Sequence, residues 1–345
     1  MTFHFAHRGL RLGAIALWIA ASAASVTALA AESKDLTVAM AQPAIDKGLS
    51  YLATRQSSDG SFATNGYGRN VAVCALAGMA WLAGGSTPDQ GPYGQELTRV
   101  TDYLVDHAQS SGFIAAADAE THGPMYGHGF ATLYLAEVYG MTPRDDLREK
   151  LARAVELIVR TQNAEGGWRY QPRPEDADIS VTICQVMALR AARNAGIRVP
   201  RETIDRCVDY VKRSQNADGG FRYMLTAGGS AFPRSAAGVV ALYSAGVYEG
   251  AELDRGLTYL DQFVPVQNAV AADAHFFYGQ YYGVQAMWQA GGERWQRWYP
   301  AARDVLVERQ QADGSWPDAI CSEYGTAMAA IILQMPNNSV PIFQR

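Results

Sequence analysis

A closed ring of six helical hairpins, an all-α (α/α)6 toroid, is the fold this sequence predicts. Three observations carry the prediction. A short phrase recurs as Gln56-Ser-Ser-Asp-Gly-Ser-Phe62, Gln162-Asn-Ala-Glu-Gly-Gly-Trp168, Gln215-Asn-Ala-Asp-Gly-Gly-Phe221 and Gln310-Gln-Ala-Asp-Gly-Ser-Trp316. Its copies lie 106, 53 and 95 residues apart, so the long gaps are about twice the short one. Halving them points to weak copies, and His107-Ala-Gln109-Ser-Ser-Gly-Phe113 and Asp261-Gln262-Phe263 stand there. The third observation is a strict alternation of two helix types, one before and one after each copy. A period near fifty residues with paired helices is the signature of stacked helical repeats.

Taken in order, residues 44–55, 97–108, 147–161, 202–214, 253–263 and 301–309 carry apolar side chains at three-and-four spacing with charges between them. These are expected as amphipathic outer helices. Residues 70–82, 128–139, 180–194, 235–248, 281–290 and 324–335 are nearly uncharged and rich in Ala, Gly and Met, as suits helices buried on most sides. Between each pair, the phrase has a mechanical use. Its Gly takes the left-handed turn that ends an outer helix, and its acid accepts backbone N–H bonds. Its aromatic anchors the return loop, and its Gln amide bonds exposed backbone at a helix end. A linear stack would leave raw ends, whereas six pairs can close on themselves around a cavity.

Residues 1–30 are read apart from this. A weakly basic start (His4, His7, Arg8, Arg11) leads into an uncharged apolar run and an Ala28-Leu29-Ala30 small-x-small site, the layout of a cleaved export signal. Residues 31–345 are then one toroid domain, exported to the periplasm or the outside. Removal of two arginines takes the net charge from −5 to −7. A mildly acidic chain without a basic run is a poor partner for nucleic acid or anionic membrane. Cys74, Cys184, Cys207 and Cys321 lie far apart within apolar helical patterns and read as buried free thiols. A soluble monomer without cofactor or metal is expected.

The phrase Gln-x-x-Asp/Glu-Gly-Gly/Ser-Trp/Phe resembles the repeat of the squalene-cyclase and protein-prenyltransferase superfamily over about residues 40–335. Ser180-Val-Thr-Ile-Cys-Gln-Val-Met-Ala-Leu189, Met125-Tyr-Gly-His-Gly-Phe-Ala-Thr132 and the ending Tyr324-Gly-Thr-Ala-Met328 to Pro336-Asn-Asn338 are similar to single-toroid bacterial prenyltransferase/squalene-oxidase repeat proteins. The resemblance implies an α/α toroid and an extended, isoprenoid-like ligand in its central cavity.

Candidate site residues follow from the ring, since the inner-helix N-termini share one mouth. Asn70, Tyr126, His128, Asp176, Asp178, Arg234, His275, Tyr278, Tyr281, Glu323 and Tyr324 fall at or near those starts, with Glu137, Gln185 and Gln285 deeper on the wall. Such a polar and aromatic set above an apolar wall is the usual anatomy of a ligand site. Several of these residue types also serve as helix caps. The resemblance singles out Asp176 and Asp178: cyclases that start by protonation use Asp-x-Asp-Asp there, and here Ile179 replaces the third acid. A prenyltransferase-like zinc site is poorly matched by Asp318 and Cys321, and a site from His122, His128 and His275 with Asp178 has no ligand spacing behind it. No Cys-Gly-Glu-Gln thioester motif is present. Two other functions remain open: a scaffold for a peptide or cell-envelope partner, and a carbohydrate-active toroid using Glu137, Asp178 and Glu323 with Trp168, Tyr170 and Tyr282.

Overall fold

Among the residues the computed structural model describes (39–63, 66–266 and 275–344), helices alternate strictly between two concentric layers. The outer layer comprises α1 (39–55), α3 (Gly94–Asp106), α5 (Leu147–Arg160), α7 (Arg201–Arg213), α9 (Ala251–Leu260) and α11 (Gly292–Arg309). The inner layer comprises α2 (Val71–Ala83), α4 (Pro124–Val138), α6 (Ile179–Asn194), α8 (Phe232–Ser244), α10 (Phe276–Ala290) and α12 (Ser322–Gln334). Each inner helix packs on the next, and α12 packs on α2, which closes the ring. The expected leader at 1–30 lies outside the described residues. No helix among those described is long and apolar enough to cross a membrane.

Each outer helix buries one stripe, as Leu97, Val100, Leu104 and Val105 do in α3. The inner helices are buried nearly all round: every residue of α2 except Ala72 is buried. Several inner helices start earlier than the apolar pattern indicates. In α4 and α8 a proline, Pro124 or Pro233, occupies the first turn, where a missing N–H costs nothing. On the outer layer α11 runs from Gly292 through Pro300 rather than starting after it. At the other end, α8 stops at Ser244 instead of Tyr248, because Gly246 takes a left-handed φ of 92°.

The repeated phrase is a clasp between neighbouring units. Gln162 Nε2 donates to Gly166 O at 2.8 Å and, across the unit boundary, to Thr203 O in the first turn of α7 at 2.9 Å. Gln56 reaches Glu96 O at 3.1 Å, Gln215 reaches Glu252 O at 2.8 Å, and Gln310 reaches Ala44 O at 2.8 Å. The last of these joins the sixth unit to the first. Gly166, at φ 101°, lies so close to the Arg206 carbonyl that any Cβ would collide with it. The aromatic then pins the loop: Trp168 Nε1 donates to Ile158 O at 2.7 Å, and its backbone N–H donates to Thr182 Oγ1 at 3.1 Å.

The axis of the ring is filled midway. Phe130 of α4 and Tyr281 of α10, on opposite sides, meet edge-to-face with centroids 6.1 Å apart. Cys184 of α6 lies 3.4 Å from the Tyr282 hydroxyl of α10. Tyr281 and Tyr282 have no solvent exposure. All four cysteines are free thiols, with Cys74, Cys184 and Cys207 buried.

Candidate functional site

The inner-helix N-termini do face one mouth, and its polar centre is Asp178. The loop after Trp168 folds back as a short antiparallel pair, with Asp178 N–H donating to Trp168 O at 3.0 Å. Two further contacts lock it to its neighbours: Met125 N–H on Tyr170 O (3.1 Å) and Ile179 N–H on Tyr223 O (3.0 Å). Asp178 therefore sits where the second, third and fourth units join. It caps α6: Oδ1 accepts the Val181 N–H at 2.8 Å, and Oδ2 accepts the Tyr223 hydroxyl at 3.1 Å. Arg169 Nε stands 3.6 Å from Oδ2, while its guanidinium pairs with Asp176. Burial pushes the Asp178 carboxyl up to about 6, against the pull of these hydrogen bonds and of Arg169.

Tyrosines surround this acid. The Tyr170 and Tyr223 hydroxyls bond each other, Tyr126 and Tyr170 have centroids 6.1 Å apart, and Arg169 lies 4.9 Å above the Tyr170 ring. From across the ring, Tyr278 donates to Ser180 O at 3.1 Å. Burial raises the Tyr126 and Tyr278 hydroxyls well above the ordinary phenol value, so both are neutral donors.

The other candidate residues divide between the mouth and elsewhere. Asn70 caps α2, accepting Ala72 N–H at 2.9 Å, and donates to Glu120 O at 2.7 Å. Arg234 ties down its own loop through Phe221 O and Gly229 O. Glu323 is buried in the first turn of α12 with Arg55 at 3.3 Å, next to the buried Tyr324. His275 precedes α10 and is exposed. Because α4 starts at Pro124, His128 lies a turn inside the helix, fully buried. Its Nδ1 accepts Ile114 N–H at 3.2 Å, and Nε2 donates to Ala154 O at 3.2 Å. Both nitrogens are thus used, and burial drops the imidazole to about 4. His128 pins the return loop of the decayed second unit, as Thr182 does in the third.

Gln185 donates to Met125 O at 2.8 Å, and Gln285 to Tyr281 O at 2.9 Å within its own helix. Glu137 lies at the far end of α4, so the helix rise separates it from the mouth by about 20 Å. The paired acids of a glycosidase lie about 5–9.5 Å apart, so Glu137 and Asp178 cannot flank one bond. Among the described residues, no three His, Cys, Asp or Glu side chains gather as a metal site. The residues that sequence reasoning missed here are Arg169 and Tyr223. Their signal was available: Trp168-Arg-Tyr170 and Phe221-Arg-Tyr223 repeat an aromatic-Arg-Tyr run directly after two consecutive copies of the phrase.

Known proteins carry the same architecture. Residues 16–154 match the prenyltransferase alpha-alpha toroid domain, and residues 130–269 match the squalene-hopene cyclase C-terminal domain. Drimenyl diphosphate synthase of Streptomyces showdoensis is 27% identical over 172 residues, which are 50% of this chain and 31% of that protein. The match thus spans about a third of that relative's length. A variant of the type II terpene cyclase MstE from Scytonema, in complex with its substrate geranylgeranyl dihydroxybenzoate, superposes with a TM-score of 0.59 at 14% identity, covering 88% of this chain and 99% of that one. Cellobiose 2-epimerase of Bacillus thermoamylovorans reaches a TM-score of 0.64 at 10% identity, over 88% of this chain and 100% of that one. At such identities these two structures share the fold alone. The repeated phrase, the closed ring and the two matched domains agree on an α/α toroid similar to those of prenyltransferases and squalene-hopene cyclases.

Proposed function

We propose that this protein is an exported, monomeric terpene-cyclase-like toroid that binds an extended isoprenoid-like molecule at its inner-helix mouth, with Asp178 as the acid. The observation that carries this reading is a fully buried carboxyl, raised to about 6, set among Tyr126, Tyr170, Tyr223 and Tyr278. A protonated Asp178 gives its proton to an alkene carbon, forming a C–H bond and leaving the carboxylate. The cation left on the adjacent carbon faces tyrosine π-surfaces. Asp176 acts through Arg169, whose charge it shares with Asp178. The activities of the similar terpene synthase and cyclase support the ligand class, and Ile179 in place of a third acid departs from the Asp-x-Asp-Asp run of protonating cyclases.

The test is to incubate the purified protein with a geranylgeranyl-bearing substrate and look for a cyclised isomer. Asp178→Asn should lower turnover by about a hundredfold or more. Failure of native mass spectrometry to recover any bound isoprenoid from the unaltered protein would sink the reading. Amino-terminal sequencing of the protein recovered from the cell envelope tests export, since a start near Ala31 is expected. A second reading, a scaffold for a peptide or envelope partner, is favoured by the filled axis at Phe130, Tyr281 and Tyr282. Protein capture without any isoprenoid bound would support it.

A further inference from the structure

The opposite end of the ring contains a second buried acid in a different setting. After α12 the chain crosses beneath the inner helices and inserts a short 3-10 turn, Pro341–Phe343. Ile342 and Phe343 are each only 4% exposed. Phe343 meets the Tyr281 ring edge-on at 6.3 Å, and its carbonyl accepts the Trp288 indole N–H at 2.9 Å. Gln289 Nε2 donates to Gln344 O at 3.1 Å. The recess around this turn, walled by Arg190, Val240, Tyr243, Ser244 and Gln285, retains only about 10 Å³ of free volume.

A plain apolar plug would need an apolar bed, and this bed holds Glu137. That side chain is 6% exposed, the Ile342 backbone amide lies near enough to hold its carboxyl down against the rise that burial causes, and Oε2 has no hydrogen-bond partner. An orphaned oxygen on a buried acid is destabilising, so a site built only to seat Ile342 and Phe343 has no use for it. A neutral hydroxyl would satisfy Oε2. A cationic head is disfavoured, because Arg190 of the neighbouring α6 already supplies positive charge there, and its Nη1 is committed to Tyr243 O at 3.0 Å.

We propose that this recess is a binding site for a single-chain alcohol, an apolar tail with a hydroxyl head. Residues 340–344 are then a strap that occupies the site until the ligand displaces it. The alkyl chain takes the place of the Ile342 and Phe343 side chains, and the hydroxyl donates to Glu137 Oε2. The site is separate from the Asp178 mouth, since the axis between them is filled.

The experiment measures binding of dodecan-1-ol and dodecane by native mass spectrometry and calorimetry, to the full chain and to one ending at Asn338. Removing the strap should tighten dodecan-1-ol binding about tenfold or more, the factor by which a closed state dilutes a competent one. In the shortened chain, Glu137→Leu should abolish the preference for the alcohol over the alkane. A shortened chain that is folded by circular dichroism yet binds no tighter than the full chain overturns the proposal, as does an alcohol preference that survives Glu137→Leu. If the shortened chain does not fold, Phe343→Ala in the full chain decides: tighter binding supports the strap, and unchanged binding overturns it. These readouts involve no residue of the mouth, so the cyclase reading can fail without this one and the reverse.

Discussion

The two ends of the ring treat a buried carboxylate differently. At the mouth, Asp178 has both oxygens engaged, by Val181 and Tyr223, with Arg169 close by. At the far end, Glu137 lies beside the Ile342 amide of the strap, and its Oε2 has no partner. Desolvation leads the shift in both, and the rises are similar: Asp178 from 3.8 to about 6 and Glu137 from 4.5 to about 7. Burial sets the direction of both shifts, and the donors aimed at each carboxyl pull against it. A fully partnered acid is anchored in one geometry; an acid with an unpartnered oxygen leaves a place for another group.

The largest effect should come from removing what separates the ends. Tyr281→Ala empties a fully buried aromatic position on the axis and should cost about 3–5 kcal/mol in a denaturant titration. Next are the two acids. Each carboxyl binds its proton more tightly in the folded state than in the unfolded chain. Stability is therefore greatest below the unfolded value and is lost as pH rises through the folded one. For Glu137 that window runs from about 4.5 to about 7 and amounts to about 3 kcal/mol; Glu137→Gln should flatten it and make the protein more stable at pH 8.

For Asp178 the window runs from 3.8 to about 6, with a slightly smaller loss, and Asp178→Asn should remove that slope while keeping the cap on α6. If both variants retain the parent's pH profile, the contrast between the ends is wrong. A smaller effect is expected at the rim. Asn70→Ala, which removes the α2 cap, should cost about 1 kcal/mol and leave the pH profile unchanged.

The layers of the ring were legible in the sequence because each helix type repeats its own pattern, as α3 and α2 illustrate. Gln162 and Gly166 were legible as structural residues, although their reach into the next outer helix was not. That contact joins residues about forty positions apart, as in Gln162 to Thr203. In the site, Asp178 and Tyr278 could be placed at the mouth by counting helix starts. His128 could not be placed correctly, because Pro124 starts α4 a turn earlier than its apolar pattern does and carries the imidazole into the wall. Glu137 falls on the wall by its helix position, but nothing local to α4 indicates that residues 340–344 return beside it.

The sequence by itself determined the periodic features: six units, two helix layers and the ring that six of them form. These depend on interactions that recur every fifty residues or so, and repetition makes them readable. Only the tertiary structure decided what occupies the axis and how the buried acids are partnered. Phe130 meets Tyr281, Tyr223 meets Asp178, and the strap meets Glu137, each through a single contact between units. Such contacts occur once, so no period announces them, and the burial that sets each carboxyl's proton affinity exists only after the ring has closed.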